Sequence, residues 1–181
     1  MAETRERIVA AGAELLHGFP VWNWSALTVR AVAARAGINE RTVYRYFPSE
    51  RDLRDAVLGR MREEAGVELD GMRFEEVAEM ATRILRYVSS FPITPRVTAD
   101  PSVAAENTRQ RQALLAAVEP AAPGWSPQDQ RIAAGILDVL WSPVSYERLV
   151  VGWDLTPDQA IRGVTWVMDL VRHAIMQGPQ P

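Results

Sequence analysis

The chain lacks cysteine and lysine altogether, and only two of its 181 residues are histidines. Without cysteine there is no disulfide framework, thiolate nucleophile or zinc-thiolate site, and a reducing intracellular compartment is the natural expectation. Long hydrophobic runs are missing too. None reaches the ~18 residues of a membrane span, and the charged start Glu3, Arg5, Glu6, Arg7 argues against a secretory leader. A soluble cytoplasmic protein with no membrane partner is therefore expected. His17 and His173 stand at opposite ends, and no His-x-x-x-His pair or Gly-rich phosphate loop is present, so neither a metal nor a cofactor is expected. Acidic pairs such as Glu75 and Glu79 share a charged helix face where solvation is their ordinary fate, so catalysis is not expected either.

What is present is arginine, unevenly distributed. The formal net charge is -3, yet residues 1 to 60 hold nine arginines against seven acidic residues, while the rest hold eleven against sixteen. Between Thr28 and Pro48 four arginines face only Glu40. Basic charge gathered at one end of an otherwise acidic molecule suits contact with a nucleic acid. The exclusive use of arginine as the basic residue reads as a coding preference.

Helical spacing dominates and strand alternation is nearly absent, which predicts an all-α protein. A first helix runs from about Glu3 to His17, with Ile8, Ala11, Gly12, Leu15 and Leu16 on one face. After a connection holding Trp22 and Trp24, Thr28 caps a short helix whose inner stripe is Val29, Val32, Ala33 and Ala36, and Gly37 stops it. Asn39 caps the next helix, which ends near Phe47 because Pro48 follows. Ser49 and Asp52 form a capping box for a helix of roughly Glu50 to Ala65.

From Phe74 to Phe91 the stripe Phe74, Val77, Ala78, Ala81, Ile84, Leu85, Val88 predicts an amphipathic helix with Glu75, Glu79, Arg83 and Arg86 on its solvent side. Three further helices begin with a capping residue followed by proline: Asp100-Pro101, Ser126-Pro127 and Thr156-Pro157. The last of these and the helix before it, which holds Ile132, Ile136, Leu137, Val139, Leu140 and Trp141, carry more apolar surface than one core uses. That surplus predicts a homodimer through the two C-terminal helices, paired as a four-helix bundle.

A helix, a glycine-containing turn and a second helix over Thr28 to Phe47 make a helix-turn-helix, whose second helix enters the major groove of DNA. With Val43 set inward and ~100° per residue, Phe47 falls about 40° away and Tyr46 about 60° on the other side, so both pack. Arg41 and Arg45 then point outward, flanked by Thr42 and Tyr44. Arginine pairs with guanine edges or phosphate, and Thr and Tyr hydroxyls bond phosphate oxygens.

The segment LTVRAVAARAGINERTVYRYFPSERDLRDAV, Leu27 to Val57, closely resembles the DNA-binding segment of TetR-family transcriptional regulators. The resemblance covers about the first 65 residues; beyond them only the helix pattern is similar. It implies a DNA-binding domain over residues 1-49 and a helical effector-binding and dimerisation domain over 50-181. It also implies that Thr28 contacts phosphate, that Arg30 contacts base or phosphate, and that Asn39, Glu40 and Arg41 read sequence. Thr42 and Tyr44 match the family's phosphate contacts, and Tyr46 stands where histidine is usual, with a hydroxyl that still reaches the backbone.

Two departures stand out. Glu50 then Arg51 replace the usual lysine at the fourth helix, and the connection holding Trp22 and Trp24 is longer than the family's. Both tryptophans are expected to pack against the first helix. The implied function is a repressor on a near-palindromic operator, released by a small-molecule effector of unassigned identity. Met80, Tyr87, Phe91, Trp125, Trp141 and Tyr146 are pocket candidates, each of which also reads as ordinary core. The competing readings are a non-specific DNA-binding protein and a helical enzyme.

Overall fold

The computed structural model describes residues 2–19, 24–92 and 100–178. Among them are nine α-helices and two short 3₁₀ turns, with no strand. The chain divides into two compact units, Met1–Pro95 and Arg96–Pro181.

In the first unit α1, Ala2–His17, buries Ile8, Val9, Ala11, Gly12, Ala13 and Leu16. It packs on α2, Val29–Ala36, and on α4, Glu50–Glu64. At Gly12 α1 lies close against α4: a Cβ there would lie 2.6 Å from Val57 Cγ2 and 3.4 Å from Leu27 Cδ1. α4 contributes Leu53, Val57 and Met61 to this core, and its capping box is formed as the sequence predicts, with Ser49 N–H donating to Asp52 Oδ2 and Asp52 N–H to Ser49 Oγ. Trp24, in the 3₁₀ turn Trp24–Ala26, packs at the edge of the same core, while Trp22 lies outside the described residues.

The helix predicted from Phe74 begins as a 3₁₀ turn, Phe74–Glu76, and continues as α5, Val77–Val88. Its apolar stripe is not buried: Phe74 is 87% and Leu85 66% exposed. Nor is Arg83 simply solvated, since its guanidinium donates to the Gly66 carbonyl at 2.6 Å and pairs with Glu79. Periodicity names the apolar face of a helix but does not say which face meets a neighbour.

The second unit holds α6, Pro101–Ala121, α7, Pro127–Trp141, α8, Pro143–Trp153, and α9, Pro157–Gln177. All four start with a side-chain cap followed by proline at the first helical position, where the missing N–H costs nothing. The core is small, formed by Leu114, Val118, Ala122, Ala133, Ala134 and Ile175, with Leu115, Trp125, Leu137 and Val171 packed against it.

The sequence reading does not separate α8, so the helix that precedes the last one is Pro143–Trp153 rather than Pro127–Trp141. The cause is a junction without a loop. Ser142 ends α7 and also caps α8, its hydroxyl accepting the Ser145 N–H at 3.2 Å. No composition shift marks such a corner. α8 is stopped by Asp154 in the left-handed region, φ 53, a conformation that a short polar side chain tolerates better than most.

Candidate DNA-binding surface

The surface is set by two short helices and the glycine between them. Thr28 is extended, φ -110 and ψ 154, and its Oγ1 accepts the Ala31 N–H at 3.2 Å, which starts α2. Gly37, at φ 66, reverses the chain, and the Ile38 N–H returns to the Ala33 carbonyl at 3.0 Å. That is the left-handed helix ending that glycine adopts without a Cβ penalty. Asn39 then caps α3, Glu40–Tyr46, its Oδ1 accepting the Thr42 N–H at 2.8 Å. Phe47, held extended ahead of Pro48, ends it.

The wheel drawn from the sequence holds. Val43 is fully buried and Phe47 nearly so, both in the core beside Val29, Val32 and Ala33, and Tyr46 packs at its edge. Arg30, Asn39, Glu40, Arg41 and Tyr44 are exposed, and Thr28 and Thr42 are half-buried. Anchored from within by Val43 and Phe47, α3 presents these side chains on a fixed frame.

The four arginines of this stretch separate by their partners. Arg35 turns back to α1, where Nη2 lies 2.8 Å from Glu14 Oε2. Arg45 lies over the Tyr46 ring, 5.3 Å from its centroid, a cation–π contact that uses its guanidinium locally. Among the described residues, Arg30 and Arg41 take part in no ion pair. Two hydroxyl-bearing residues differ likewise. Thr42 Oγ1 donates to Asn39 Oδ1 at 2.9 Å, so its proton already serves the cap, while the Tyr44 side chain stands in solvent.

Several contacts here escape sequence reasoning. Tyr87 of α5 donates its hydroxyl to Glu64 Oε2 at 2.8 Å and meets His17 Nε2 at 3.2 Å, and His17 stacks on Phe91 with centroids 4.3 Å apart. Because the tyrosine proton goes to Glu64, His17 must be the donor in its bond to Tyr87. Burial, and then the Glu64 carboxylate, hold the Tyr87 phenol well above its ordinary range. Burial pulls Glu64 upward, but hydrogen bonds from Arg60 and Tyr87 outweigh it and leave the carboxyl below its ordinary value. The Tyr87 contacts to Glu64 and His17 span 23 and 70 positions, beyond any local signal. Glu14 and His17 have Glu-x-x-His spacing, yet Glu14 pairs with Arg35 and His17 with Tyr87, so they form no joint site. No cluster of three or more metal-ligating side chains forms among the described residues, and none of their helices is long and apolar enough to cross a membrane.

A compact core shared by α1 to α4, with a capped, glycine-turned helix pair and two unpaired outward arginines, defines a helix-turn-helix DNA-binding protein. Residues 8–57 match the family model described as "Bacterial regulatory proteins, tetR family", so this segment is similar to the DNA-binding domain of those proteins and marks the chain as a DNA-binding transcription regulator. Regulation rather than catalysis is the work of this family. No curated protein and no solved structure matches the chain.

Proposed function

We propose that the chain is a homodimeric repressor that grips a near-palindromic operator with one α3 per half-site and is released by a small-molecule effector. The observation that carries this reading is Arg41, exposed and unpaired on a helix fixed from beneath by Val43. In this reading Arg41, Asn39 and Glu40 face base edges, and Arg30 meets base or phosphate. Thr28, Thr42, Tyr44 and Tyr46 face phosphates, Thr42 by turning its proton from Asn39. Residues 1-49 make the DNA contact and residues 50-181 serve dimerisation and effector binding.

A second copy of the chain as partner is supported by the apolar surface of the last helices. Val144 and Trp153 on α8, and Ile161, Trp166 and Leu170 on α9, are all exposed by more than half. Patches of this kind are rare on monomers. A cavity of about 520 Å³ lies among α7, α8 and α9, but Val144 and Trp166, which line it, belong to the face offered to the partner. The cleft of about 430 Å³ against α6 and α9, floored by Val118, Leu137, Met168 and Ile175, suits an apolar effector better. None of Met80, Tyr87, Phe91, Trp125, Trp141 and Tyr146 lines either space. An effector bound more tightly to the DNA-free arrangement lowers operator affinity by linkage.

The test is to recover the duplexes that the full chain retains from a random pool. The expected motif is an inverted repeat with half-sites about one helical turn, or a multiple of it, apart. A single unrepeated site, or no motif, overturns the dimeric reading.

A further inference from the structure

Glu50 opens α4, yet its carboxylate reaches across to α2. Oε1 accepts the backbone N–H of Val29, the first residue of α2, at 3.4 Å. Oε2 pairs with Arg54 Nη2, also at 3.4 Å, with 43% of the Glu50 side chain and 40% of the Arg54 side chain exposed. Arg54 Nε is buried and has no hydrogen-bond partner. Thr28 already places its hydroxyl oxygen on Ala31 N–H. The first turn of α2 therefore has two of the protein's own oxygens on its N–H groups, one of them a carboxylate.

In helix-turn-helix docking the first helix lies across the DNA backbone, and backbone N–H groups at helix starts are among the donors that meet phosphate oxygens. The carboxylate thus stands where the duplex would bring another negative charge, and Thr28, the residue beside Val29, is one of the assigned phosphate contacts. The charge of Glu50 opposes this approach whatever the base sequence, because every phosphate is alike.

Resting on the DNA-binding surface proposed above, we infer that Glu50 is a negative determinant of DNA affinity: its carboxylate holds α4 to the start of α2 and weakens binding to every sequence by a similar factor. Repulsion between unit charges several ångströms apart in a wet interface corresponds to a factor of about two to five.

The test uses the full chain, fluorescence anisotropy, and two duplexes of equal length, one carrying the selected operator and one scrambled. Glu50→Gln keeps an oxygen for Val29 N–H and removes the charge. Its Kd is expected to fall about two- to fivefold on both duplexes at low salt, with the gain shrinking as salt rises. Glu50→Lys is expected to steepen the slope of log K against log salt by about one. Unchanged or weaker binding by Glu50→Gln with an unaltered unfolding transition, or an unchanged slope in Glu50→Lys, overturns the role of Glu50 alone. Failure of the wild-type chain to bind either duplex overturns the DNA surface and this role with it.

Discussion

An Arg41→Ala chain is expected to lose roughly 1 to 3 kcal/mol of operator binding and to relax its preference at the base pair that Arg41 meets. Three features single this side chain out. It lies in the first turn of α3, where a recognition helix meets base edges; it is exposed; and it has no carboxylate partner among the described residues. Arg45 shares the outward face, but its guanidinium rests over Tyr46, so its loss costs less specificity. Arg35 is further removed, tied to Glu14 in a pair whose two side chains are both more than half exposed, and such pairs contribute ~0–1 kcal/mol to stability. Tyr44→Phe is expected to differ in kind: in the proposed reading its hydroxyl meets the phosphate backbone, and losing it weakens all sequences alike. Anisotropy titrations on the operator and on single-base variants separate the two. Unchanged discrimination in Arg41→Ala removes Arg41 from base readout.

Ile8→Ala is expected to cost about 2–5 kcal/mol of the stability of the first unit, measured by urea unfolding of the full chain. Ile8 is fully buried in the cluster formed with Leu27, Val32, Val43, Leu53 and Val57. The backbone around it has little freedom to collapse into the space, since α1 and α4 already meet so closely at Gly12 that a Cβ would press on Val57. Because Val43 anchors α3 in the same cluster, DNA binding should fall in step with the folded fraction. Loss of stability below ~1 kcal/mol would mean that this core is not what fixes α3.

Local chemistry explains what could be read beforehand. Thr28, Asn39 and Ser49 each cap a helix through the N–H three residues onward, Gly37 needs a left-handed turn, and Pro48 ends a helix, so each signal lies within a few positions of its effect. The proline-started helices α6, α7 and α9 were legible for the same reason. α8 uses an identical device at Ser142-Pro143 but was hidden because one serine closes the helix before it. What stayed out of reach depends on residues far apart in the chain. Glu50 to Val29 and Arg35 to Glu14 span 21 positions each, and Tyr87 to His17 spans 70. The stripe of α5 was visible as a pattern, but its exposure follows from how helices assemble, which periodicity does not encode.

The central claim is sequence-specific recognition, and the ratio of two dissociation constants tests it most directly. Wild-type chain is titrated, at one salt concentration near physiological, onto the selected inverted-repeat duplex and onto a scrambled duplex of the same composition. A ratio of about 10³ or more is expected for a specific regulator. A ratio near one, with affinity that simply falls as salt rises, would contradict the account and describe a protein that coats DNA without reading it.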